Sequence, residues 1–345
     1  MSKSNDNQDI SSQTNKKILN SRSFQEKYNI YTGENINGIN VILLLKNTIL
    51  QGVLTWIVFC GIYGFLVSLA SHYGLLSQIN DIKSLPKIAL TLNFVLSLLL
   101  AFRTNTAHGR FWEGRKQWGA MVNVVRNLVR GIWIKVDEHE PRDRIKKRAA
   151  ALLVPAFAVA MKYHLRREKM HPELAELMSR PRYRTIKEVD HAPLEIAFWL
   201  TDYLQQQYKS NKLSVFQLEV LQADVDRMVD ILGACERILK TPVPIVYAIV
   251  FKILLIVYFL LLPFSLVQGI NWWTGPAMVF ISLIILSINE IGTEIEEPFG
   301  RDPNDLPLDF ICRGLVGNIK HILTLDPDSP YIYRDFVEDN DRYVA

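Results

Sequence analysis

Residues 48–71 read TILQGVLTWIVFCGIYGFLVSLAS, twenty-four positions without a single charge. At about 1.5 Å of rise per residue such a helix is about 36 Å long, enough to cross a hydrocarbon core of about 30 Å. A spanning helix is the reading, and it decides the fold, because the rest of the chain must then be sorted between lipid and water. The next apolar stretch, IALTLNFVLSLLLAF at 88–102, is shorter, but Leu85, Pro86 and the stem of Lys87 lengthen it to a crossing if the ammonium reaches the interface. A third runs from Ile245 to Val267 with Lys252 as its one interruption, and a fourth from Trp272 to Ile288. The uncharged QGIN between them makes the last two a helical hairpin.

Whole-chain figures, 49% hydrophobic residues and a formal charge of +4, conceal this segregation. The first twenty or so residues are polar, lack apolar periodicity and are no signal peptide. About two dozen Lys and Arg against fewer Asp and Glu lie between Gly109 and Lys240, with Lys16, Lys17 and Lys46 before span one and Arg103, Arg110, Arg115 and Lys116 after span two. The positive-inside rule places this block and both termini in the cytoplasm. The chain therefore divides into a tail at 1–22, spans one and two at 23–107, a cytosolic helical domain at 108–242, spans three and four at 243–292 and a cytosolic C-terminal segment at 293–345. Cys60, Cys235 and Cys312 are too far apart for a disulfide framework or a metal motif and read as ordinary small buried residues.

In the cytosolic block, Trp118, Met121, Val122, Val125 and Leu128 recur at spacings of three and four, an amphipathic helix. A helix from about Asp143 to Arg167 is apolar at its centre, but that run is too short to span, contains Pro155 and is bracketed by IKKR and KYHLRREK, so it reads as a buried core helix. SRPRYRTIKEVDHAP reads as loop, followed by helices at about Leu194–Lys209 and Ser214–Leu239, the latter with Leu218, Leu221, Val225, Met228 and Leu232 on one face. No strand pattern competes. The class is all-α, with four transmembrane helices.

At 100° per residue, Lys87, Thr91, Phe94, Leu98, Ala101 and Phe102 fall on one stripe of span two. Phe94, Leu98 and Phe102 repeat every four residues, a pattern that ordinary helix packing also produces. Glu113 has Arg110, Lys116 and Gln117 at helical-neighbour spacing, and Pro242 and Pro244 end one helix, with Pro244 suited to the first turn of the next.

Three stretches are unlike generic membrane protein: AFRTNTAHGRFWEGRKQWG at 101–119, GACERILKTPVPIVY at 233–247 and EIGTEIEEPFGRDPNDLPLD at 290–309. In residues and order they resemble the bestrophin family, its bacterial branch above all, over about Asn40 to Leu323. The resemblance implies a homopentamer of four-span subunits around one pore, in a bacterial inner membrane, conducting ions passively. It also implies that Phe94, Leu98 and Phe102 are the neck, five copies of each forming apolar rings about 6 Å apart that gate by excluding water. Lys87, about 10 Å further out, and Thr91 would then line the outer mouth. A cationic ring and the positive edges of Phe rings favour anions, chloride or bicarbonate, although Lys87 could equally snorkel towards headgroups. A cytosolic aperture is expected near Leu213 or Val215, where the loop NKLSV offers no anchoring motif.

The family's calcium clasp would fall on Asp302, Asn304 and Asp305. Calcium takes six or more oxygens, and Arg301 and Pro303 weaken the run, so a plain turn with Asp305 as helix N-cap is the stronger expectation. No other cofactor and no nucleic-acid partner is expected. An enzyme or coupled carrier would need ionisable groups in the spans or a catalytic constellation, and the spans offer only Lys252. His164 and His171 can share a helix face, but nothing adjacent in sequence completes a metal set. A cation-conducting relative and a scaffold without transport remain the alternatives. The acidic and aromatic tail after Leu325 either wraps a neighbouring subunit or stays disordered.

Overall fold

The computed structural model describes residues 49–76, 85–242, 244–302 and 304–325; the N-terminal tail with Lys46 and the tail after Leu325 lie outside the described residues. The long elements are all helices: α1 Ile49–His72, α2 Leu85–Lys135, α3 Pro141–Leu165, α4 Arg180–Glu188, α5 Ala192–Lys209, α6 Val215–Lys240, α7 Ile245–Ile270, α8 Thr274–Glu294 and α9 Leu308–Ile322. No described residue is in a strand. Two compact units result, one ending at His108 and taking in Val243–Glu296 and Arg301–Phe310, the other Gly109–Pro242 with Glu297–Gly300 and the described residues from Ile311 to Leu325.

In the first unit, α1 packs closely along α8 and touches α7. The approach depends on glycine: a Cβ on Gly64 would sit 2.7 Å from Met278 Cγ, and one on Gly61 2.5 Å from Val279 Cγ2. Small residues at helix crossings are what apolar surroundings favour, since van der Waals contact replaces a hydrophobic drive between helices. Cys60, Leu96, Leu100, Phe251, Leu255, Tyr258, Leu262 and Met278 form the buried core. The hairpin between α7 and α8 turns at Asn271, whose left-handed φ of 46° swings the chain round. Its carbonyl accepts hydrogen bonds from Ser68 Oγ at 3.0 Å and Thr274 Oγ1 at 2.6 Å. Helical stretches long and apolar enough to cross a membrane occur at Gly52–His72, in Leu85–Lys135 and in Val215–Glu294, the last containing both α7 and α8.

In the second unit, α3 is buried on almost every side from Ala150 to Tyr163 and packs against α5, which also carries α6. The apolar run around Pro155 is thus a core helix, as its length and flanks indicate. Trp118, Met121, Val125 and Leu128 are buried on α2, and Leu218, Leu221, Val225, Met228 and Leu232 on α6. Ser214 and Gln217 close a capping box at the start of α6. The three cysteines are buried.

Three expectations need correction. Span two and the amphipathic helix beyond it are one 51-residue helix, because nothing between Phe102 and Phe111 is a strong breaker and Gly109 alone costs only about 1 kcal/mol. The segment read as loop contains α4, whose single buried residue, Ile186, leaves no periodicity to detect. Tertiary contacts hold it instead: the Arg182 guanidinium lies 5.1 Å from the Trp199 ring centroid. Pro244, expected in the first turn of α7, occupies its N-cap.

Candidate functional site

The first half of α2 has two unlike faces. Ala89, Leu96, Leu100, Arg103 and Ala107 are buried against the first unit, at the spacings of seven, four, three and four that keep residues on one side of a helix. The other side is open: Phe94 is 71% exposed, Leu98 47% and Phe102 57%, and Lys87, Thr91 and Ala101 share that exposure. The structure therefore brings together the whole stripe read from the sequence. Thr91 Oγ1 turns back onto the Lys87 carbonyl at 2.9 Å.

Polar links fix which face is open. Tyr258 Oη donates to Asn93 Oδ1 at 3.1 Å and Tyr247 Oη to the Leu99 carbonyl at 2.8 Å. Arg103 donates to Asn289 Oδ1 and, at 2.9 Å, to Thr293 Oγ1, with its guanidinium 5.4 Å from the Phe251 centroid. Charge alone makes Arg103 one of the cations flanking span two; the fold makes it a buried tie between α2 and α8.

Other expected positions fare variously. Leu213 is only 5% exposed, so its side chain belongs to the core of the second unit and it is withdrawn as an aperture residue; Val215 and its neighbour Phe216 are exposed. Glu113 holds Lys116 Nζ at 2.6 Å and Gln117 Nε2 at 2.7 Å as the spacing indicates, whereas Arg110 donates to the carbonyls of Ile238 and Thr241 at the end of α6. In the acidic run, Asp305 Oδ2 accepts the Asp302 amide at 2.7 Å and Asn304 Nδ2 donates to Glu294 Oε2 at 2.5 Å. Asp305 closes a turn and does not cap α9, which starts at Leu308. One Asp305 carboxylate oxygen is thus engaged in the turn, and the Asn304 amide is aimed at Glu294.

Sequence spacing missed one cluster. His164 lies not beside His171, which stacks on Tyr163, but against His191 and Glu236, the one group of three metal-capable side chains among the described residues. Burial pushes the His164 imidazole below its ordinary value, against the pull of Glu236. Burial also raises the Glu236 carboxyl, but hydrogen bonds from Lys240, His164 and His191 outweigh it and bring the pKa down to about 2. The residues 164, 191 and 236 are 27 and 45 positions apart, so no local motif announces them.

Comparison with known proteins adds the family. Residues 30–321 match the bacterial and fungal bestrophin protein family. A voltage-dependent anion channel-forming protein of Nostoc sp. is 45% identical over 82% of this chain and 91% of its own length. One of the same description from Synechocystis sp. is 41% identical over 84% of this chain and 92% of its own. Among solved structures, a point-mutated bestrophin homologue from Klebsiella pneumoniae superposes with a TM-score of 0.69 at 26% identity, covering 78% of this chain and 99% of that one. Apolar helices of membrane-crossing length and a family match over most of its length agree: this chain is a membrane protein and belongs to the bacterial and fungal bestrophin family.

Proposed function

We propose that the chain is one subunit of a homopentameric channel that conducts anions passively through a pore lined by α2. Membrane crossings are assigned to α1, the first half of α2, α7 and α8, with both termini on the cytoplasmic side of a bacterial inner membrane. The observation that carries the reading is the open apolar stripe of Phe94, Leu98 and Phe102 on a helix whose opposite face is fully packed. A lipid-facing stripe would be apolar throughout. This one is continued by exposed Lys87 and Thr91 at one end and by Asn105 at the other, which suits a wet passage better than acyl chains.

Five copies of the stripe form three apolar rings about 6 Å apart, narrow enough to shed water when closed. Lys87 raises the anion concentration at the outer mouth, and the Phe edges present their positive rims to a dehydrating chloride or bicarbonate. The anion-channel description of the Nostoc and Synechocystis relatives supports the same sign of selectivity. The acidic run at 302–305 works as a structural turn, so conduction does not require calcium there; calcium titration of the current tests this.

Purified protein in planar bilayers tests the whole reading, with Leu98→Ala beside the wild type. Discrete currents reversing near the chloride equilibrium potential, larger or less gated in the variant, are expected. Reversal that follows the cation refutes anion selectivity, and the absence of unitary steps in both proteins refutes the channel.

A further inference from the structure

Away from α2, three elements of the soluble unit bring imidazole and carboxylate groups to one point. His164 comes from the last turn of α3, His191 from the N-cap of α5 and Glu236 from the last turns of α6. Both His Nε2 atoms face the same carboxylate oxygen, Glu236 Oε1, at 2.7 and 2.8 Å, and the two rings are 4.2 Å apart between centroids. Lys240 Nζ holds the other oxygen, Oε2, at 2.7 Å. We propose that His164 Nε2, His191 Nε2 and Glu236 Oε1 form a binding site for a divalent first-row transition ion of the zinc class, with the fourth position open to water.

The donor set selects the ion. Two imidazoles and one carboxylate suit zinc, cobalt or nickel, whereas calcium and magnesium take oxygen ligands. The three ligand atoms lie within 4.8 Å of one another. Around a tetrahedral ion with bonds of about 2.0–2.1 Å, neighbouring ligand atoms sit about 3.3 Å apart. Each N–O separation therefore has to open by about half an ångström, within reach of small side-chain rotations. Binding exchanges two N–H donations to one oxygen for two Nε2 lone pairs on the metal, each ring proton moving to Nδ1.

The outer contacts fix how tight the site should be. Lys240 orients the carboxylate through the oxygen the metal does not use, as supporting partners of metal ligands do. His191 Nδ1, by contrast, is buried with no protein hydrogen-bond partner. Lacking the usual acceptor behind that ring, the site should bind about 10–100-fold more weakly than a fully supported one of the same ligands. Within the unit, an ion here would tie α3, the start of α5 and the end of α6 together.

The test uses tag-free full-length protein in detergent, stripped with chelator and titrated with cobalt(II). One ion per chain, with the visible d–d bands of four- or five-coordinate cobalt, is the expected result, and zinc should displace it. His191→Gln and Glu236→Gln should each weaken binding at least about tenfold, since even outer-shell partners of a metal contribute that much. His171→Gln should leave binding intact. Should Glu236→Gln fail to fold, His191→Gln carries the decision, because its ring occupies a helix cap with no side-chain capping bond to lose. Spectra of the aqueous ion alone overturn the proposal, as does one ion per chain bound equally by wild type and His191→Gln.

Discussion

Replacing Arg103 with Met would remove the cation that joins α2 to α8 while keeping much of its aliphatic volume. The side chain is 8% exposed and donates to Asn289 Oδ1 and Thr293 Oγ1. Hydrogen bonds from a charged donor contribute about 1.5–3 kcal/mol each, so about 3–6 kcal/mol is lost, and the Phe251 contact adds about 1 kcal/mol. Against this, Met has no guanidinium to desolvate, and that penalty is several kcal/mol. Thr293 keeps its own donation to the Asn289 carbonyl at 3.1 Å, which leaves Asn289 Oδ1 as the main orphan. A buried unsatisfied acceptor costs about 1–3 kcal/mol, and the net destabilisation comes to about 2–3 kcal/mol. At about 2–4 °C per kcal/mol the detergent-solubilised protein should melt about 4–12 °C lower. Arg103→Lys should fail to restore it, since one ammonium cannot present the guanidinium's fork to two acceptors. A double-mutant cycle with Asn289→Ala should show coupling of about 1 kcal/mol or more. Melting of Arg103→Met within about 1 °C of wild type, or strict additivity in the cycle, would refute the tie.

Three further perturbations follow from the geometry. Gly64→Leu drives a side chain into Met278 Cγ, which a Cβ alone would already approach to 2.7 Å; it should lower stability by about 1–3 kcal/mol or more, and an unchanged melting temperature would sink the close-packing account. Lys162 is 1% exposed, with Nζ 2.6 Å from Glu173 Oε1. Because Glu173 is partly exposed and regains water, Lys162→Met should cost about 2 kcal/mol, below the 3–5 typical of a fully buried broken pair, and a urea midpoint that rises instead would show the pair to be net unfavourable. Asp143, bound by Lys212 and by the amides of Glu140 and His139, has its carboxyl lowered to about 2. A depressed folded-state pKa gives stability that is complete above the unfolded value of about 3.9 and is lost as pH falls through about 2. The melting gap between wild type and Asp143→Asn should therefore narrow from pH 5 to the lowest pH the detergent tolerates; a constant gap contradicts the assignment.

How much was legible depended on whether one helix face was apolar and the other polar. The helices of the second unit satisfied that, so Trp118 to Leu128 and Leu218 to Leu232 were readable as buried rows. Helix α4 was not, since eight of its nine residues escape burial and a single Ile186 makes no pattern. The tie made by Arg103 lies in the phase of the helix and not in its charge. That residue follows Phe94 by nine residues, which at 100° each is half a turn from the stripe, so the same wheel that grouped Phe94, Leu98 and Phe102 already put Arg103 on the packed side. The His164, His191 and Glu236 cluster carried no comparable signal. Its members come from three elements whose crossing is decided by the packing of α3, α5 and α6, and nothing local encodes that crossing.

The two faces of α2 divide the work in a way that makes them separable by experiment. Apolar contacts between helices in lipid provide little rotational preference, because one leucine row packs about as well as the next. Asn93, the Leu99 carbonyl and Arg103 do provide it, since turning the helix by one residue would strand all three from Tyr258, Tyr247, Asn289 and Thr293 at once. The orientation of Phe94, Leu98 and Phe102 is thus set by residues on the opposite side. Substitutions on the open stripe should change conduction at nearly constant stability, whereas substitutions at the polar links should lower stability first and disturb conduction only by letting the stripe turn.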